Sequence, residues 1–110
     1  MRKMVVVDPE KIEWEAVKEL PEGAWIKMLS IDEETGAFSA LFKFDKGFHE
    51  PRHNHPSDHD IVIRTGKLVD AEGKEVKKGM FFFAPAGEEH GPFDAPDECV
   101  FYAYFNGPAF

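Results

Sequence analysis

Four of the five histidines in this chain are placed so that their side chains can meet at one point. Three of them lie within the stretch HNHPSDH, residues 53–59. His53 and His55 are two positions apart, so on an extended strand both imidazoles leave the same face. His59 follows a turn-forming segment that can fold it back, and His90 reaches the same point only through tertiary folding. This pattern predicts a metal site with His53, His55, His59 and His90 as ligands.

The alternative is a set of exposed histidines in turns, which proteins commonly contain. His49 lies outside the cluster and is interpreted as solvent-facing or as supporting the ligands from outside the site.

Cys99 stands alone in the sequence, which excludes an internal disulfide. It lies in the strand-like segment ECVFYAYF, so a small buried hydrophobic residue is favoured over a nucleophile.

Short strands must position these histidines. The segments AWIKMLSI and AFSALFKF flank the turn DEETG and predict a β-hairpin. Four further runs, DIVIRT, KLVD, MFFFAP and CVFYAYF, have strand length and are bounded by glycine, proline or aspartate. Many short strands without a convincing long helix predict an all-β sandwich or barrel. Within the run of Phe81, Phe82 and Phe83, alternation sends at least one ring into the core.

The segment DPEKIEWEAVKELPEG supports two interpretations. Asp8 can cap a helix that begins at Pro9, whereas IEWEAV alternates apolar and charged residues as an edge strand does. The sequence leaves both open. We also expect MVVV and IEWEAV to pair between two copies of the chain, giving a homodimer that covers exposed strand edges.

The length of 110 residues predicts one domain, residues 1–110. A net charge of −8, from 21 acidic and 13 basic residues, argues against a nucleic acid or an anionic membrane surface as partner. The apolar run at the N-terminus is too short for a signal peptide, and no stretch approaches the length of a membrane span. We therefore expect a soluble, cytoplasmic protein.

Two segments resemble the paired motifs of the cupin superfamily. GFHEPRHNHPSDHDIVIRTG, residues 47–66, is similar to the first motif, and GMFFFAPAGEEHGPFD, residues 79–94, is similar to the second. Every fixed position agrees in spacing, and two differ in residue: His59 stands where cupins usually carry glutamate, and Asp94 where they carry asparagine. The resemblance implies a double-stranded β-helix, or jelly-roll cupin barrel, that holds one divalent transition metal.

The tail HGPFDAPDECVFYAYFNGPAF resembles the branch of cupins that contains acetylacetone-cleaving and dihydroxyacetophenone dioxygenases and the cupin domains of ChrR-type anti-sigma factors. This resemblance implies a non-haem Fe(II) dioxygenase that cleaves a small diketone or hydroxyketone in the presence of dioxygen. Zinc and nickel are the alternative metals, because imidazoles also accept them. A non-catalytic metal-binding sensor or interaction domain, and a metal-dependent isomerase or lyase, are the alternative functions.

A histidine at position 59 also removes the carboxylate that serves as general base in related enzymes. His59 itself is then the candidate base, provided that it can leave the metal. Four acidic residues lie near the motifs in sequence and are interpreted as solvated surface groups: Glu50, Asp58, Glu88 and Glu89. An isomerase or lyase would need a clear acid or base in the pocket, and the sequence indicates none.

Overall fold

Strands form where apolar and polar residues alternate between turn signals. The structure is a computed structural model that describes residues 2–110. The predicted hairpin and the four later predicted strands are confirmed. Within the described residues the strands are β1 (Glu15–Ala16), β2 (Ala24–Ile31), β3 (Phe38–Phe44), β4 (His49–Glu50), β5 (His59–Thr65), β6 (Lys67–Asp70), β7 (Glu75–Lys77), β8 (Phe81–Ala84), β9 (Phe93–Asp94) and β10 (Cys99–Phe105).

The strands form two antiparallel sheets. The larger has the order β1-β2-β3-β10-β5-β8, and the smaller has the order β4-β9-β6-β7. The chain passes back and forth between them, from β3 to β4, from β4 to β5 and from β5 to β6. Repeated crossing between two facing antiparallel sheets is the topology of a jelly roll. The predicted all-β double-stranded β-helix is therefore confirmed.

The N-terminal segment combines both interpretations of its sequence. The side chain of Asp8 accepts a hydrogen bond from the Glu10 backbone and caps one turn of 3-10 helix, Pro9–Lys11. The chain then forms the edge strand β1, which pairs with β2. Within residues 2–110, no helix has the length and apolar character needed to cross a membrane. Met4 and Val6 are about 90% exposed, and the expected pairing of two copies through MVVV and IEWEAV stays a prediction.

The core is built mainly from phenylalanines on neighbouring strands. β3 pairs with β10, which sets Phe38 opposite Phe105 and Phe42 opposite Phe101. The rings of the two pairs stack with centroids 4.9 and 5.4 Å apart. Each such pair adds about 0.5–1.5 kcal/mol beyond the area it buries. These paired rings join the two central strands of the larger sheet across its inner face.

Two further predictions concern buried side chains. Cys99 is completely buried and burial raises the pKa of its thiol to about 12, so its interpretation as a small core residue is confirmed. In β8, Phe82 packs against the core, whereas Phe81 and Phe83 are exposed. Alternation along the strand thus sends one ring of the three inward, as predicted.

Gly66 occupies a position where a side chain would disturb the backbone. Its φ is +73°, and a Cβ there would collide with the carbonyl oxygen of Glu98. We expect Gly66→Ala to lower the free energy of unfolding by about 3 kcal/mol, because a left-handed backbone and a steric clash both oppose the methyl group. Urea denaturation measures this change.

Gly73→Ala is the matched control. Gly73 has a similar φ of +82°, but a Cβ there meets no atom within 4 Å. Substitution of Gly73 strains only the backbone and should lower the free energy of unfolding by about 1–2 kcal/mol. Equal losses in the two variants would show that the approach of Glu98 to Gly66 does not restrain the fold.

Candidate metal centre

Three histidines meet at one end of the barrel. The ligand nitrogens of His53, His55 and His90 lie within 4.8 Å of one another. A pair of backbone hydrogen bonds joins the two distant segments: His53 N–H donates to the carbonyl of His90 over 3.0 Å, and His90 N–H donates back over 2.8 Å. The tertiary approach of His90 that the spacing predicts is therefore present, and it is fixed by the backbone.

A backbone carbonyl orients each of these rings. The Nδ1–H groups of His53 and His55 donate to the carbonyls of Pro51 and Ala109, both over 2.7 Å. Nδ1–H of His90 donates to the carbonyl of Glu88 over 3.1 Å. A neutral imidazole that donates through Nδ1 keeps the lone pair of Nε2 free for a metal.

The C-terminal residues take part in this arrangement. Besides the contact of Ala109 with His55, the hydroxyl of Ser57 donates to the carbonyl of Pro108 over 2.6 Å. The side chain of Asp58 accepts from the Ala86 backbone over 2.7 Å and so joins the loop before β5 to the loop before His90. The sequence gives no signal for Ala109, since its contribution is a backbone carbonyl that any residue would provide.

His59 lies beside the group but is held differently. It is buried at the start of β5 and stacks on Phe105 with centroids 4.6 Å apart. Its ring centroid is 4.8 Å from that of His55 and 5.1 Å from that of His90. Its Nδ1 is buried without a hydrogen-bond partner among the described residues. The prediction that His59 is a fourth ligand and possible base stays a prediction.

Burial keeps these imidazoles neutral. Burial first, and then the neighbouring histidines, lower the pKa of His55 to about 4 and that of His59 to about 3. Burial also lowers the pKa of His90. Neutral imidazoles are the form that binds metals, so near pH 7 these rings need not lose a proton before they bind a cation.

Glu50 corrects one interpretation of the sequence. It was expected at the solvated surface, but it is buried in β4, and its Oε2 lies 3.5 Å from Nε2 of His53. Burial raises the pKa of its carboxyl to about 8. The pocket therefore holds an acid that the sequence did not indicate. A possible signal was parity, because Phe48 and Glu50 share a strand face and both point inward.

The other acidic residues near the motifs do not enter the pocket. Glu88 and Glu89 are exposed, and Glu89 pairs with Arg52 on the surface over 2.7 Å. His49 is exposed and contacts the carboxylate of Asp94 over 2.7 Å, so the solvent-facing interpretation of His49 is confirmed. This contact links β4 to β9 on the outside of the barrel.

The histidines and Glu50 share a pocket whose walls are largely aromatic. Rings from β3, β8, β9 and β10 line it, among them Phe42, Phe82, Phe93 and Phe105. Apart from the four histidines and Glu50, every side chain lining it is apolar. An apolar pocket with a few convergent polar groups is typical of a small-molecule site.

The donor set fits a divalent transition metal. The rings of His53, His55 and His90 are pinned through Nδ1, and their Nε2 atoms are free. Three imidazoles with open positions for other ligands are an arrangement that binds zinc, iron, nickel or copper, and it does not select among them.

The chain has relatives with the same domain and the same fold. The family model of the ChrR cupin-like domain matches residues 2–109. A crystal structure of a candidate acetylacetone dioxygenase from Methylibium petroleiphilum is similar with a TM-score of 0.83 at 21% identity, over 97% of this chain and 79% of that one. The anti-sigma ChrR of Rhodobacter sphaeroides, in complex with SigE, is similar with a TM-score of 0.68 at 21% identity, over 87% of this chain and 50% of that one.

A curated relative shares a shorter stretch. The DNA damage-repair/toleration protein DRT102 of Arabidopsis thaliana is 37% identical over 57 residues, which are 47% of this chain. The match spans 18% of the length of that protein. The two solved structures are each 21% identical to this chain, and this likeness indicates the fold alone.

The buried histidines should make the metal-free protein sensitive to acid. The unfolded chain binds protons near pH 6.5 at His55 and His59, whereas the folded chain does so only near pH 4 and pH 3. Stability is therefore expected to fall as the pH drops from about 6.5 toward 4. Urea denaturation in the presence of a chelator measures it, with His49→Gln as an exposed control that keeps the decline.

Glu50 should make the metal-free protein less stable as the pH rises. Its folded pKa of about 8 exceeds the ordinary value of 4.5, so the folded chain keeps a proton that the unfolded chain loses. The stability that Glu50 contributes therefore declines as the pH rises from about 4.5 to about 8. Because the buried histidines lower stability below about pH 6.5, the metal-free protein should be most stable near that pH. Glu50→Gln should remove the decline between pH 6.5 and 8.5. An unchanged decline in this variant would contradict the burial of an ionisable group at position 50.

Proposed function

This chain belongs to the ChrR cupin-like domain family, and from that premise we propose that it is a metal-dependent dioxygenase of small ketones. Its substrate would be an enolisable diketone or hydroxyketone whose carbon-carbon bond is cleaved with dioxygen. One observation carries the proposal: three imidazoles pinned by backbone carbonyls present free Nε2 atoms to an aromatic pocket. The similarity to a candidate acetylacetone dioxygenase supports it.

His53, His55 and His90 would hold the metal, for which we propose Fe(II), with zinc and nickel as alternatives. A bound Fe(II) would supply a Lewis acid for an enolised ketone and a redox partner for dioxygen. Three neutral imidazoles cancel none of the ion's charge, so the site favours an anionic oxygen ligand. The tethered rings keep their orientation without a bound ion, which lowers the cost of assembling the site.

The remaining pocket residues would bind the substrate and exclude water. Phe42, Phe82 and Phe93 offer ring faces and edges to an apolar or aromatic ketone. His59 lines the same pocket with an unpaired nitrogen, which is free to form a hydrogen bond with an oxygen of the substrate. A dry, largely apolar lining strengthens each of these polar contacts.

Two alternative functions each have an observation in their favour. The similarity to the anti-sigma ChrR supports a non-catalytic metal-binding interaction domain. The buried carboxyl of Glu50 supports an isomerase or lyase, because it supplies the acid or base that such a reaction needs. The absence of turnover with dioxygen would favour one of these two.

The metal ligands can be tested by metal analysis of purified variants. The wild type should hold about one equivalent of divalent metal. His55→Ala and His90→Ala should each weaken metal binding by about tenfold or more. The exposed His49→Ala should keep its metal, because its ring lies outside the pocket. Stoichiometric metal in both pocket variants would show that the site is misassigned.

The reaction can be tested with an oxygen electrode. Protein reconstituted with Fe(II) should consume dioxygen with one or more members of a panel of diketones, hydroxyketones and catechols, and His90→Ala under the same conditions should not. Mass spectrometry of the products should show two fragments from one cleaved bond. A flat oxygen trace across the panel, with iron bound, would contradict the dioxygenase proposal.

A further inference from the structure

Glu50 is a buried acid without a basic partner. Its side chain is 11% exposed in a pocket whose other polar lining consists of histidines. Within residues 2–110, no lysine or arginine forms an ion pair with it, and its recorded polar neighbour is Nε2 of His53. Buried carboxylates in proteins are paired with a cation or coordinate a metal. Glu50 therefore keeps its proton near neutral pH unless a positive charge lies nearby to stabilise the carboxylate form.

The neighbouring nitrogen is the one that would face the metal. Nδ1–H of His53 donates to the carbonyl of Pro51, which leaves Nε2 as the atom that can bind an ion. Oε2 of Glu50 lies 3.5 Å from this Nε2. Two ligand atoms bound to one ion at about 2.1 Å each are separated by roughly 3.0–3.5 Å, depending on the coordination geometry. The observed separation suits two ligands of one ion, and because the ligand atoms that all lie within 4.8 Å of one another are those of His53, His55 and His90, the carboxylate would approach the ion from the side of His53.

The backbone of β4 sets this position. Glu50 pairs with Phe93 of β9, and His49 pairs with Asp94, so the direction of the Glu50 side chain follows from the register of two strands. His49 on the opposite face is exposed. The chain reaches His53 three residues later, which keeps the carboxylate and the first imidazole on the same side of the pocket.

His59 is the competing candidate for the fourth ligand. A metal-binding histidine almost always donates its other ring N–H to an acceptor, which orients the ring. His53, His55 and His90 each have such an acceptor, whereas Nδ1 of His59 has none among the described residues. The ring of His59 is instead held by stacking on Phe105. This difference favours an oxygen ligand from another strand.

We propose that Glu50 is the carboxylate ligand of the metal bound by His53, His55 and His90, an inference that rests on the metal site proposed above. The donor set is then three imidazoles and one carboxylate. The glutamate that cupins usually carry at position 59 is replaced in function by one on β4. A bound divalent ion would keep one net positive charge, which would favour an anionic enolate as its substrate. The burial that raises the pKa of Glu50 to about 8 is offset when an ion binds.

Metal affinity and the visible spectrum of bound Co(II) test this assignment without any substrate. Affinity for Zn(II) and Co(II) is measured by competition with a chromophoric chelator at pH 7.5. Glu50→Gln preserves the shape of the side chain and should weaken binding by about 100-fold and shift the Co(II) absorption bands. The exposed Glu98→Gln is the matched control and should behave as the wild type does. His59→Leu should weaken binding by less than about tenfold.

Each contrary result has a distinct meaning. Wild-type affinity in Glu50→Gln, with binding lost in His90→Ala, would overturn the role of Glu50 and leave the three-histidine site intact. Weaker binding with an unchanged Co(II) spectrum would overturn it too, because Glu50 would then act from outside the ligand set. A large loss in His59→Leu alone would establish the four-histidine site instead. A wild type that binds neither ion would overturn both proposals.

Discussion

The pair of backbone hydrogen bonds between His53 and His90 is the constraint on which the site depends. These bonds join a loop between β4 and β5 to a loop between β8 and β9, and neither loop has a regular strand at that point. Because the bonds use main-chain groups, both side chains remain free to face the pocket. His55 follows on the same side, and its own carbonyl accepts from Gly87, which fixes the same two loops a second time.

Burial of polar side chains is the second feature of this barrel. His55 and His59 remain neutral because an apolar environment disfavours their charged forms, and the same environment disfavours the carboxylate of Glu50. A cation among these groups would reverse the penalty on the carboxylate and use the lone pairs of the imidazoles. The free energy of unfolding would therefore be lower without a bound ion than with one, because phenylalanines enclose these groups. A bound ion would couple the site to the stability of the barrel.

The position of the chain's last residues connects the core to the site. Phe105 stacks on Phe38 in the core and on His59 in the pocket, so one ring belongs to both. Beyond it, the carbonyl of Ala109 orients His55. Strand β10 and the residues after it thereby position His59 and His55 relative to the larger sheet. Changes that loosen the pairing of β10 with β3 or β5 would reach the histidines through these two contacts.

Local sequence patterns determined a large part of this protein. The alternation of residues and the turn signals predicted the long strands, and the histidine pattern predicted a cluster of four, of which His53, His55 and His90 form one close group and His59 lies beside it. These features are predictable because strand period and turn chemistry are local properties of the chain. Only the tertiary structure decided which side chains share the pocket. Glu50 is buried because a two-residue strand pairs with β9, and His55 is oriented by the carbonyl of Ala109. A backbone acceptor leaves no pattern in the sequence, and a two-residue strand leaves only the shared parity of Phe48 and Glu50, since both depend on contacts between distant segments.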